Sequence, residues 1–284
     1  MKRPQDIQLE INQTSTIVNL TSVFESLASM KISAIKNEVI ASQLFFKEIW
    51  HIYEQIRVDS LFRFGRTKND EAIKKTLYIG VTGEGGFSGD IDQRLVRMML
   101  KDYDKEKHDI IIIGHHGAIQ LAQSGVSFQR YFKMPAKDQN INVRPLITEI
   151  SKYESAIVFY QSYESLSVQG TAQIDLSKAV QAQGLKSGED IAGDVITDET
   201  YIFEPSTFEV VAHLEDSMLA IALSQFIFES KLAQYASRFR AMSAAKQKAN
   251  ESFGELRTQY NRTKRSIADA RLKETINGFR KAED

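Results

Sequence analysis

The apolar positions of this chain keep two different beats. Over residues 232–267, LAQYASRFRAMSAAKQKANESFGELRTQYNRTKRSI, they fall at Leu232, Tyr235, Phe239, Met242, Ala249, Phe253, Leu256, Tyr260 and Ile267, with Lys246 and Thr263 on the two intervening beats. Steps of three and four alternate, which marks a left-handed coiled-coil seam. The surrounding segment, 206–284, has no proline and only two glycines, Gly254 and Gly278. As one continuous helix it would approach roughly 115 Å. Ser206 and Thr207 are N-cap candidates, with Glu209 in the first turn. At the other end, residues 5–60 place Ile17, Leu20, Phe24, Leu27 or Ala28, Ile32, Ile35, Val39 and Phe46 at helical spacing. A seam needs a partner, and this is the only other comparable helix. The pattern therefore predicts an antiparallel coiled coil between the two ends of the chain. The alternative is a homodimeric coil of the C-terminal helix alone, for which the bulky Phe and Tyr residues are a poor fit.

The middle of the chain follows a second pattern. KTLYIGVT (75–82), HDIIIIG (108–114) and SAIVFYQSY (155–163) are short β-rich runs. Helical stretches lie between them, DIDQRLVRMMLKDYD (90–104) and GAIQLAQSG (117–125). Strands alternating with helices predict a Rossmann-like α/β domain on a parallel sheet. LSVQGTAQIDL (166–176) reads as a hairpin arm with Gly170 near its turn, 184–200 as loop, and TYIFEPS (200–206) as a last strand stopped by Pro205. The expected domains are a coiled-coil helix over 1–60, the α/β domain over 74–205 and a second coiled-coil helix over 206–284.

Composition narrows the chemistry. The 284 residues are 42% hydrophobic, enough to bury a core, and carry a formal net charge of -1. No global charge excess points to nucleic acid or an anionic membrane. The absence of cysteine excludes disulfides, thiolate catalysis and iron–sulfur clusters. The first twenty residues lack the apolar core of a secretory signal, and no run of about 18 apolar residues predicts a bilayer span. Charge is biased locally: residues 237–284 hold 12 Lys/Arg against 6 Asp/Glu.

Two stretches are candidates for chemistry. GVTGEGGFSGD (80–90) follows a strand and opens a helix, a setting in which backbone N–H groups can hold phosphate. Neither the dinucleotide fingerprint nor the Walker lysine is complete, and Glu84 would repel a phosphate. His115 and His116, in GHHGA, could ligate metal or act as bases, but His51, His108 and His213 are scattered without ligand spacing. A tight structural turn and ordinary loop histidines explain both stretches, and no cofactor or catalytic residue is expected.

Taken together, YIFEPS (201–206), SRFRAMSAAKQKANESFGEL (237–256), YNRTKR (260–265), GGFSGDID (85–92) and LTSVFESLASMK (20–31) resemble the gamma subunit of the rotary F-type ATP synthase, in order and over the whole chain. The chain departs from that pattern at Ser22, Phe24, Ser33, Ala34 and Ala268-Asp269-Ala270-Arg271, so it reads as a divergent member. The resemblance implies a non-catalytic central shaft, peripheral on the cytoplasmic face of the cell membrane. It would couple a membrane ion-translocating ring to alpha and beta catalytic subunits, with an epsilon-type subunit alongside. It makes Phe24, Lys31, Arg265 and Arg271 candidates for contacting the catalytic subunits, and Tyr201 and Glu204 candidates for docking on the ring. Two rival readings stand beside it: a repurposed gamma-like subunit of a variant or motility-linked motor, and a nucleotide- or metal-dependent α/β enzyme using the Gly80–Asp90 turn.

Overall fold

The computed structural model describes residues 3–56, 73–137, 141–188, 204 and 206–283. In chain order the elements are α1 (Pro4–Ile56), β1 (Ile73–Val81), α2 (Ile91–Lys101), β2 (His108–Ile113), α3 (His115–Gln123), β3 (Arg130–Phe132), α4 (Arg144–Ile150), β4 (Tyr153–Tyr163), β5 (Gln169–Asp175), α5 (Leu176–Gly188) and α6 (Thr207–Glu283). Long helices at both ends flank a mostly parallel sheet in the chain. Two compact units result: Met1–Leu27 with Phe239–Asp284, and Ala28–Arg238.

In the larger unit the strand order is β3-β2-β1-β4-β5. The first four strands run parallel, while β5 returns antiparallel to β4. Alternate side chains of each strand face opposite layers. Leu77, Ile79, Val81, Ile111, Ile113, Ala156 and Val158 face one core, shared with Phe46–Ile56 of α1 and Val211–Ile227 of α6. Tyr78, Ile110, Ile112 and Phe159 face the other, against Leu95, Val96 and Met99 of α2 and Leu121 of α3. Burial on both faces explains the continuous apolar run Ile110–Ile113. Inside the first core the Tyr53 hydroxyl donates to Glu215 at 3.0 Å. Ser206 caps α6, its hydroxyl accepting the Glu209 N–H at 3.2 Å. One window of α6 is apolar enough by composition to cross a membrane, yet half of it is buried within the protein. It is the core helix of this unit.

In the smaller unit the N-terminal part of α1 pairs with α6. Ile7, Ile11 and Thr21 are buried, and Thr14, Val18 and Glu25 are half-buried on the same three-and-four beat. From α6, Met242, Ala249 and Thr263 are buried, while Lys246, Phe253, Leu256 and Tyr260 are half-buried. Lys246 Nζ meets Glu25 Oε2 at 2.9 Å. Beyond Thr263, residues 264–278 are all exposed.

Several expectations need correction. Ile17 and Leu20 are 50% and 53% exposed, while of the pair Leu27 and Ala28 it is Ala28 that is buried. At the first two positions the buried line runs one residue later, through Val18 and Thr21, about 100° around the helix. The side chains on that line are small or polar. Gly170 does lie near the hairpin turn, as the second residue of β5 paired with Ser162; the turn itself is closed by Glu164 and Ser165 N–H groups donating to Val168 O. Residues 184–188, read as loop, belong to α5, which continues the chain beyond β5 and packs Leu176, Ala179 and Val180 into the protein. His115 and His116 are the first residues of α3, not part of a loop. Of the strand read at 200–206, only Glu204 and Ser206 are described, and neither is in a strand.

Candidate functional site

The carboxyl edge of a parallel α/β sheet is where such folds bind ligands. Here β1 leads into Thr82 and the glycine loop, β2 into Gly114 and α3, and α6 crosses above them with Ser230, Gln234, Ser237 and Arg238. Close packing begins at Gly114, whose φ is 96° and whose Cβ would stand 2.1 Å from Thr82 O. Thr82 Oγ1 donates to Ile113 O at 2.8 Å and accepts the Gly117 N–H at 3.0 Å, tying β1 to the start of α3.

A buried polar network fills the edge. Asp92 of α2 is 3% exposed. Its Oδ1 accepts the Gly83 N–H at 2.9 Å and the Gln161 amide at 2.6 Å, and its Oδ2 lies 3.1 Å from His116 Nδ1. Gln161 Oε1 in turn accepts from Gln234 Nε2 at 2.8 Å and from the Ser230 hydroxyl. Four elements, α2, β4, α3 and α6, thus share one satisfied cluster. Such a network is costly to half-break, because each released group would be buried without a partner.

The glycine loop is bound to α6 as well. Arg238 Nε donates to Gly86 O at 3.0 Å, its terminal amine to Gly85 O at 3.1 Å, and the Ser237 hydroxyl to Ser88 O at 2.7 Å. Burial depresses the Arg238 pKa, partly offset by Tyr235 and Asp92. Just below, burial raises the Glu229 carboxyl, opposed by a hydrogen bond from the Tyr163 backbone. Burial, helped by Glu229, pushes the Tyr160 phenol up to about 12.

Glu84 of the glycine loop reaches across to the neighbouring helix α3. Glu84 Oε2 accepts the N–H groups of His115, at the start of α3, and of Met134, each at 3.2 Å, and Tyr131 donates to Oε1 at 3.2 Å. This internal carboxylate occupies the N-terminus of α3, not that of α2, the helix that the glycine loop opens. His116 is engaged with Asp92, while His108 accepts the Asp104 N–H and stacks on Tyr78. Among the described residues no cluster of three possible metal ligands occurs. The edge is built to hold α6.

The residues proposed for partner contact are dispersed. Phe24 is half-buried and Lys31, Glu204, Arg265 and Arg271 are exposed; Tyr201 lies outside the described residues. Phe24 adjoins Glu25, the partner of Lys246, whereas Arg265 lies roughly 28 Å further along α6 than Lys246. Along the α6 beat Leu232, Met242 and Ala249 are buried, Tyr235, Phe239, Phe253, Leu256 and Tyr260 half-buried, and Ile267 is 37% exposed. Sequence reasoning missed Asp92, Gln161, Ser230, Gln234 and Arg238. For Gln161 the signal was a polar residue closing the apolar run AIVFY within SAIVFYQSY.

The fold and this edge define a helix-paired α/β protein whose sheet edge is tied to α6 by a buried polar network. The family model described as ATP synthase matches residues 3–280, and the chain belongs to that family. It is 23% identical over 283 residues to the ATP synthase gamma chain of Alkaliphilus metalliredigens, with 96% of each chain covered. It is 20% identical over 293 residues to that of Desulfitobacterium hafniense, with 98% of each covered. Among solved structures it resembles a chain of the Tetrahymena thermophila mitochondrial ATP synthase central stalk and c-ring, with TM-score 0.57, 16% identity, 80% of this chain covered and 99% of that one. A chain of the Euglena gracilis mitochondrial ATP synthase matches with TM-score 0.54, 16% identity, and 93% and 94% covered. The chain is a gamma-type central stalk subunit at the level of the family, a non-catalytic one.

Proposed function

We propose that the chain is the rotating central shaft of an F-type ATP synthase or ATPase. The observation that carries this is the change of burial along α6. The helix is paired with α1 along one line up to Thr263 and then continues with residues 264–278 exposed. A two-helix coil gains bending stiffness from many small seam contacts. A shaft whose outer surface differs from side to side offers different contacts to each surrounding subunit in each orientation. A rotor of that kind can bias open and closed states in turn, to the extent that its contacts differ between them.

In this reading Phe24, Lys31, Arg265 and Arg271 meet the alpha and beta subunits. Tyr201 and Glu204 dock on the membrane ion-translocating ring, and an epsilon-type subunit joins the rotor. The excess of basic residues after 237 suits a sleeve lined by carboxylates. The chain acts as a peripheral protein at the cytoplasmic face of the membrane, and the nucleotide chemistry belongs to its partners. The test is to purify the tagged chain from its native membranes and identify what accompanies it. Alpha and beta subunits together with a membrane ring support the proposal. Catalytic subunits without a ring point to a repurposed motor, and recovery of neither overturns it.

A further inference from the structure

We propose that the groove between α2 and α3 is a docking site for an acidic helix of a partner protein. The groove encloses about 840 Å³ on the sheet face opposite α6. Its α2 wall carries Arg94, Arg97 and Lys101, at steps of three and four, so the three cations form one stripe. The stripe is about 10 Å long. Val96 and Leu100 give it an apolar floor, and Gln120 of α3 forms the opposite wall. The lining residues include no carboxylate. Arg94 has only a loose contact with Asp90, at 3.4 Å, and Asp90 is itself 68% exposed.

Two buried polar atoms at this groove make no hydrogen bond within the protein, Arg94 Nε and Gln120 Oε1. One is a donor and the other an acceptor, so an incoming polar segment could satisfy both. Buried groups left unpaired are costly, and a partner that pairs them gains accordingly. The shape fits a helix: two parallel ridges with a groove between them accept a third helix, and charges spaced three and four apart match carboxylates of the same period. An acidic helix meets the stripe and seats one or two apolar side chains on Val96 and Leu100.

This inference does not depend on the shaft reading. The test treats the purified native assembly with a water-soluble carbodiimide, which joins an amine to a carboxylate only where the two already touch. The expected product links Lys101 to an Asp or Glu of another subunit, within a helical stretch whose acids recur at three or four. Lys101→Arg, which keeps the charge but cannot form this link, should abolish it, and Arg97→Gln should lower its yield. An intact assembly in which Lys101 stays unlinked overturns the proposal. Linkage only to this chain's own carboxylates, or to a non-helical segment, overturns it as well. Failure of the shaft reading would show separately, as catalytic subunits missing from the purified assembly.

Discussion

Between Val211 and Ser237, α6 is enclosed on several faces; between Phe239 and Thr263 it is held along a single line. In the first stretch Met218, Leu219, Ala222, Leu223 and Ile227 pack into the sheet core, and Ser230, Lys231, Gln234 and Ser237 are buried too. In the second, only Met242, Ala249 and Thr263 fall below a tenth exposed. One uninterrupted helix therefore serves as a core element and as half of a coiled pair. Helix propensity is not what separates the two regimes; the number of neighbours is. Stability should follow the same division, and substitutions along α6 test it directly.

The largest effect is expected in the enclosed stretch. Leu223, fully buried, replaced by Ala should cost about 2–5 kcal/mol, read as a drop in the denaturant midpoint of the intact chain. A loss below about 1 kcal/mol would mean that this stretch is no better held than the coil. Next comes the buried polar network. Asp92→Ala strands the Gly83 N–H and the Gln161 amide, and should cost about 2–4 kcal/mol. Gln161→Ala should add little on top, because both act through one cluster. Additive losses in the double variant would deny that the cluster is one unit.

The coil should respond less. Phe253 is only half-buried, so Phe253→Asp should cost about 1–2 kcal/mol. That is smaller than the several kcal/mol that full burial of the seam would imply. Amide exchange should rise in α6 near residue 253 and in α1 around Val18, which the Glu25–Lys246 pair places opposite it, and stay unchanged in the sheet. Equal acceleration in both would erase the distinction between the two regimes.

The contrast also explains what could be read in advance. The strand–helix alternation was plain because parallel strands buried on both faces are apolar throughout, as in Ile110–Ile113. The two long helices showed in their freedom from proline and in their three-and-four beat. The inward face of α1 was misplaced at Ile17 and Leu20, because the seam there is small and polar, with Thr14, Thr21 and Glu25, whereas Ile32, Ile35 and Phe46 further along are buried as their spacing predicts. Hydrophobicity cannot find a face whose partner is Lys246. The polar network escaped notice because its members come from positions far apart in sequence. Gly83, Asp92, His116, Gln161 and Gln234 meet only once the sheet has formed.

The smallest effect concerns the ion pair at that seam. Lys246, chiefly by its hydrogen bond, holds the Glu25 carboxyl below its ordinary value of 4.5, against the opposing effect of burial. A carboxyl depressed in the folded coil stabilises it fully above the unfolded value. That contribution is lost as pH falls through the lower, folded one. The pair has side chains 19% and 34% exposed, so its worth should stay below about 1 kcal/mol. Amide exchange around Glu25 and Lys246 should therefore quicken on acidification below pH 4.5, and Glu25→Gln should remove that dependence while leaving the sheet alone. Raised salt should mimic the substitution in part, since exposed pairs are screened. If the coil keeps its acid sensitivity in Glu25→Gln, another carboxylate carries it, and the pair does no more than set the register of α1 against α6. That outcome would still leave the two regimes distinct, because they rest on how many faces of the helix are buried and not on any one charge.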